Sequence, residues 1–300
     1  MGKYMEPPDP RLTARTTDPT SAAFADLMRL RDDDLPLDRA AALLAKGVAY
    51  PELDPAEVAA QLDDLAAGLM AQLPLGRDPR QLADALRRFL GDELGFRGPD
   101  SRREDDYYDA RNSFINDVLG RRVGIPIALS VVYLEVARRI DFPLVGVGLP
   151  GHFLIKHPLG DAPEDGIFLD PFQRGSILSL GQIRSMFDAH FGGRARFEMH
   201  YLGAVTKKQL LARALQNLKN VYYSRNQLRT MLKIYDYLLL IAPWDLDSRR
   251  DRGMLALRLG ETALALEDLQ AYEAHATGDS NLPLIRGYIE ALRRRFSLGG

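Results

Sequence analysis

Cysteine is missing from all 300 residues of the chain. That absence excludes disulfides, thiolate metal sites and every thiol nucleophile. Excess charge of one sign is missing too. The 39 basic and 41 acidic side chains leave a formal net charge of −2, too little to gather nucleic acid or an anionic membrane surface. The tightest basic run, Arg293 to Arg295, reads as a solvated helix end that complements the helix dipole. Long apolar runs are also lacking: stretches such as Leu238 to Ala242 fall far short of the roughly 20 residues a membrane helix needs. The N-terminus is acidic and proline-rich, with no apolar core for a signal peptide, so the expected location is the cytoplasm.

What is present is an ordinary globular composition, 46% hydrophobic and 27% charged, over a length that favours two domains. Residues 1–21 read as a disordered tail. From Ala22 to about Phe96, Pro36, Pro51, Pro74 and Pro79 divide an all-helical stretch into four candidate helices. The clearest covers Pro55 to Leu73, with Val58, Leu62, Leu65 and Leu69 at helical spacing. Gly98 to Asp106 is a charged loop, after which Asn112 or Ser113 caps a short helix that Gly120 can end.

The next segment, Pro126 to Ile140, is apolar on nearly every side. Such a helix belongs in the middle of a domain, and Pro126 suits its first position, where no amide donor is needed. Three short segments then show strand-like alternation: Pro143 to Leu149, Phe153 to His157 and Ile167 to Phe172. The last two form a hairpin. A turn centred near Ala162 sets His152 almost opposite Asp170. Ser179 and Gln182 make a capping-box start for a helix through about Ala189.

Beyond residue 203 the chain repeats. A 34-residue register places Leu215, Leu218 and Tyr222 on a first helix and Met231, Tyr235 and Leu238 on a second, closed by Pro243. Its next unit has Gly253, Ala256, Ala265, Leu269 and Tyr272, with Gly260 in the turn between helices. The two units resemble tetratricopeptide repeats, with Leu284 to Phe296 as a cap. Lys233, Asp236, Asp268 and Glu273 interrupt the packing positions and are expected to offer a mixed polar surface for recognition.

Order and spacing carry a second resemblance. Gly124-Ile125-Pro126 opens the buried helix, Gly151-His152-Phe153 opens a strand, and Leu169-Asp170-Pro171 lies on the next. With the stretch from Tyr107 to Ser130, these motifs resemble the bacterial SirB-type transglutaminase-like family, which also ends in tetratricopeptide-like repeats. The resemblance implies an α+β, mostly helical fold. Its papain-type core sets a buried helix on a small antiparallel sheet, in a domain covering residues 22–203, and a repeat domain covers residues 204–300. It also implies a Cys–His–Asp triad, matched here by His152 and Asp170. The cysteine position falls on Pro126, which has no nucleophile, proton or backbone donor. Thiol acyl transfer needs a thiolate beside an imidazole, and this chain cannot supply one.

The expected role is therefore non-catalytic: a degenerate cleft, together with a repeat surface over residues 204–296 that binds a protein or peptide. The alternative is a hydrolase or transferase in which His152 and Asp170 act without a covalent intermediate, as a general base for water. Tyr107, Tyr108, Asn112, Asn116 and Ser130 are candidate cleft residues. Ser130 lies a full turn inside the helix, where serines bond back to the preceding turn, and is a poor substitute nucleophile. His157 and His190 lack partners at ligand spacing, so no metal or cofactor is expected. Glu104, Asp105, Asp106 and Asp109 read as a solvated acidic run.

Overall fold

The computed structural model describes residues 15–73, 76, 78–100, 108–276 and 278–298. Twelve α-helices and one five-stranded antiparallel sheet make up the described chain. The expected tail over residues 1–21 lies mostly outside the described residues; helix α1 starts at Pro19, capped by Asp18. The chain groups into two compact units. One comprises residues 30–221; the other joins the described residues up to 29 to those from 222 onward. This grouping differs from the expected boundary at 203/204, because residues 204–221 pack with the N-terminal unit.

In the unit of residues 30–221, helices α2 (Leu37–Val48) and α3 (Pro55–Met70) pack around α6 (Pro126–Arg139). Helix α4 (Pro79–Leu86) runs on as a π-helix over Arg87–Glu93. Helix α6 is the centre of the unit. Ile127 to Tyr133 and Glu135 to Ala137 are all buried, as expected for a helix with almost no polar face. It starts with Pro126 in its first turn, its own backbone needing no donor there. One face of the sheet packs against it.

The strands are β1 (Val145–Val147), β2 (Leu154–Pro158), β3 (Gly166–Asp170), β4 (Ser176–Leu178) and β5 (Ala204–Val205), in the order β4-β3-β2-β1-β5. The β2–β3 hairpin pairs Ile155 with Leu169 and His157 with Ile167, a register symmetrical about Ala162. Strands β4 and β5 were not expected; three and two residues are too few for a period-2 pattern to register. Helix α7 (Leu180–Phe191) has the expected capping box between Ser179 and Gln182. On the other face of the sheet Leu154, Phe168, Ile183 and Phe187 form a second core.

One local expectation is corrected. Neither Asn112 nor Ser113 caps the short helix α5 (Ile115–Arg121), and Gly120 does not end it. Asn112 closes a 3-10 turn, is fully buried, and accepts from Arg121 Nη1 at 3.0 Å, so its amide is committed elsewhere. The helix ends on Arg122, held in the left-handed region at φ 60° with its guanidinium bonded to Leu94 O at 2.9 Å.

In the second unit the repeat register holds. Helices α9 (Leu228–Ile241), α10 (Leu246–Leu259), α11 (Thr262–His275) and α12 (Leu282–Leu298) follow α8 (Lys207–Ser224), within which the unit boundary falls. Met231, Tyr235, Leu238, Ala256, Ala265, Leu269 and Tyr272 are all buried. Gly253 lets α10 approach α11; a Cβ there would sit 3.0 Å from both Asp268 and Leu269. Gly260 turns the chain between them at φ 77°.

The expected mixed recognition surface is corrected. Asp268 is fully buried and the Asp236 side chain is 15% exposed, both clamped by Arg252. Glu273 pairs with Arg286. Of the four, Lys233 alone is exposed, because carboxylates facing a neighbouring helix find guanidinium partners inside the stack.

Candidate functional site

The candidate pair is built from two short pieces of the 30–221 unit, the residues before β2 and the end of β3, while Pro126, at the expected nucleophile position, opens α6. Asp170 is the last residue of β3. Its Oδ1 accepts from the amides of Phe172 and Gln173 at 3.0 and 3.4 Å, capping a 3-10 turn. Its Oδ2 meets His152 Nε2 at 2.9 Å. His152 itself precedes β2 by two residues, so the imidazole approaches from a turn rather than from the strand. The register that pairs Ile155 with Leu169 brings Asp170 level with Leu154, and His152, two residues earlier, reaches across to it. Asp170 is 0% exposed and the His152 side chain 17%.

A carboxylate can only accept, so the proton of the neutral imidazole sits on Nε2. That leaves Nδ1 as the basic nitrogen, and among the described residues it has no hydrogen-bond partner. The ring of Phe172 stands edge-on to His152, their centroids 5.9 Å apart. Phe172 in turn lies flat on the backbone of Gly98, where a Cβ would come within 2.3 Å of the ring. Arg213, from α8, donates to His152 O at 3.2 Å and covers the Phe153 ring at 5.2 Å. Burial lowers its guanidinium pKa. Sequence reasoning missed Arg213 because it assigned residues beyond 203 to the repeats.

The turn capped by Asp170 is wedged against the π-helix. At Gly91 a Cβ would lie 2.0 Å from Arg174 O, and the Arg174 guanidinium donates to Gly91 O at 3.3 Å. Gly91→Ala is therefore expected to cost about 1–3 kcal/mol by overpacking backbone on backbone. It should also disturb the His152–Asp170 bond. Urea melts measure the first, and the chemical shift of the His152 Nε2 proton the second.

The remaining candidates are not brought to the pair. Among the described residues the hydrogen bonds of its two side chains run only between His152 and Asp170 and to the amides of Phe172 and Gln173. Ser130 is buried and donates to Pro126 O at 2.8 Å, the back-bonding expected of a helical serine. Asn112 receives the Ile125 amide on its carbonyl and so braces the start of α6. Asn116 Oδ1 is buried without a partner among the described residues. Tyr108 is exposed. Tyr107, Glu104, Asp105 and Asp106 lie outside the described residues. Asp109 is held by the Arg111 guanidinium, which keeps its carboxyl below the usual range.

His157 bonds Pro143 O and stacks on Phe142, while His190 packs on Phe191 and against Gly151. Among the described residues no three metal-ligating side chains converge, and no helix is long and apolar enough to cross a membrane. Tyr133, on α6, is another residue the sequence did not single out. Its hydroxyl is buried without a partner among the described residues. Burial, with the charges of Asp92 and Asp170, raises its phenol pKa.

Comparison with known proteins agrees with this architecture. The profile of the transglutaminase-like superfamily matches residues 56–216, and that of the tetratricopeptide repeat matches residues 218–293. The chain is 34% identical over 269 residues to the UPF0162 protein of Xylella fastidiosa strain Temecula1, covering 88% of this chain and 92% of that one. It is 31% identical over 216 residues to the UPF0162 protein of Vibrio cholerae, covering 72% and 77%. F-box only protein 21 of Mus musculus is 32% identical over 166 residues, which is 52% of this chain but 25% of that one. No solved structure matches the chain.

Proposed function

The chain belongs to the SirB-type transglutaminase-like family, and from that premise we propose that it works without covalent catalysis, as a protein- or peptide-binding module. The observation that carries this reading is the contrast between the two halves of the triad. The nucleophile position is Pro126, in a chain with no cysteine at all. The surviving pair has a structural use that needs no reaction, since the second oxygen of Asp170 caps the turn wedged against Gly91. The stretch shared with F-box only protein 21 is a small part of that longer chain, which supports reading it as a module.

The repeats support the partner. In their unit, Met231, Tyr235, Met254, Leu255 and Leu257 line an open groove of about 460 Å³, and Trp244 and Leu284 are exposed large apolar side chains. Tetratricopeptide stacks present such surfaces to peptides. A native partner captured by the parent should be lost on Met254→Asp and kept on His152→Ala. The reverse pattern would move binding to the triad remnant.

One observation favours the second reading, a general base for water. His152 Nδ1 is unpartnered among the described residues and its side chain is partly exposed. The carry-over of the triad can be tested directly. In Pro126→Cys a thiol would sit at a helix N-terminus beside an imidazole, and both lower thiol pKa. Its alkylation rate should rise at lower pH than in Pro126→Cys with His152→Ala. Identical profiles would mean that Pro126 does not occupy the nucleophile position.

A further inference from the structure

The sheet ends in two edge strands, β4 and β5. Natural edges are blunted by charge, proline, bulges or brevity. β5 is two residues long, and after Thr206 the chain enters α8 at Lys207. β4 is less protected. It reads Ser176-Ile177-Leu178 between Gly175 and Ser179, with no charge and no proline. It pairs with β3 in an unbroken register, Phe168 with Leu178, Leu169 with Ile177 and Asp170 with Ser176. Antiparallel pairing uses the amide and carbonyl of alternate residues, so the remaining ones point away from β3. Among the described residues no further strand and no turn or loop backbone bond takes them up.

Exposure follows the same line. Leu169 is 0% exposed, whereas its cross-strand neighbour Ile177 is 38% exposed. A groove of about 470 Å³ runs beside the strand, between Leu178 and the first two turns of α7, with Gln182, Ser185 and Met186 along its wall. An extended segment laid along β4 would set alternate side chains against Ile177 and into this groove.

The charges around β4 are of one sign. No charged residue lines the groove. Two residues before the strand, the exposed Arg174 donates to the neutral carbonyl of Gly91 and meets no carboxylate among the described residues. Directly after the strand comes the positive end of α7, whose first turn has no acidic side chain. Gly181 leaves that end uncovered, since a Cβ there would meet only Ser179 Oγ, at 3.9 Å.

We propose that β4 is a docking edge for an extended peptide segment of a partner protein, in which apolar residues alternate with Asp or Glu. The segment adds a sixth strand through main-chain hydrogen bonds. Its apolar side chains cover Ile177, and the acidic ones enter the groove between Arg174 and the start of α7. The proposal rests on the partner-binding reading and gives the transglutaminase-like unit a recognition surface of its own.

The test uses the full chain and an end-blocked heptapeptide alternating valine with glutamate. It should bind and shift the amide resonances of Ser176, Ile177, Leu178 and Gly181, while the same peptide with lysine in place of glutamate should not bind. Two further forms carry N-methyl groups on the valine amides or on the glutamate amides. One of them should bind and the other should not, because an added strand turns only alternate amides toward its neighbour. Ile177→Thr, at an exposed position, should weaken binding about fivefold by removing apolar contact. Arg174→Gln should weaken it about fivefold, the size of one exposed charge pair. Arg174→Lys should keep affinity within about twofold, which separates the charge from the bracing of the turn. Equal binding of the lysine peptide, the same result for both methylated forms, or shifts elsewhere would overturn the proposal. A dimer of the chain that Ile177→Thr dissociates would assign the edge to a second copy and overturn it too. Met254→Asp, the test of the repeat groove, should leave the affinity for this peptide unchanged, so the two surfaces can fail separately.

Discussion

Asp170→Ala is expected to destabilise the fold by about 3 kcal/mol. Two contributions make that figure. Removing the cap of the 3-10 turn, which leaves two amides without their acceptor, costs about 1 kcal/mol, and leaving the His152 Nε2 donor without an acceptor costs about 1–3 kcal/mol more. The site cannot relax easily, because Asp170 is fully buried and its turn is pinned by Gly91 and Arg174. Asp170→Asn separates structure from chemistry. Its remaining oxygen can still cap the turn, while its amide faces Nε2 and forces the imidazole proton onto Nδ1. The expected loss is only about 1 kcal/mol, but the basic nitrogen now points at the amide. Urea denaturation of the two variants beside the parent measures the difference. Equal, small losses in both would mean that the pair has no structural role.

The second large effect lies in the repeats. Arg252 donates from Nε and Nη2 to the two oxygens of Asp268 at 2.7 and 2.8 Å, and from Nη1 to Asp236 at 2.6 Å. Arg249 adds a longer contact to Asp268 at 3.4 Å and a bond to Pro243 O at 3.2 Å. Arg249, Arg252 and Asp268 are all buried. Burial raises the Asp236 carboxyl pKa against the opposing pull of Arg252. Arg252→Ala should cost about 3–5 kcal/mol, because it strands buried carboxylates without their cation. Arg252→Met combined with Asp268→Leu should recover most of that loss, since removing both charges leaves an apolar contact. A double variant as unstable as the sum of its single changes would show that the network is not coupled.

Legibility in the sequence followed the length of the signal. The all-round apolar run from Pro126 to Ile140 gave the buried helix, and the Ser179–Gln182 box gave the start of α7. Pro243 and Gly260 fixed the repeat register. The His152–Asp170 pairing was also readable, because a hairpin register follows from the two strands and the midpoint between them. What escaped was short or remote. Strands β4 and β5 are too brief to show alternation. Asn112 looked like a cap, but tertiary burial committed it to Arg121. Arg213 holds the His152 carbonyl from 61 residues away, and no local pattern announces such a contact. Asp236 and Asp268 read as surface because a charged side chain in one helix does not reveal a guanidinium waiting on the next.

The central claim is that His152 and Asp170 serve structure, not turnover. The measurement that tests it most directly is a panel of amide, ester and amine-transfer substrates presented to the parent, His152→Ala and Asp170→Asn, each checked for folding by its urea midpoint. The account predicts no turnover that depends on either residue. Turnover by the parent that disappears in both folded variants would contradict it and establish His152 as a working general base.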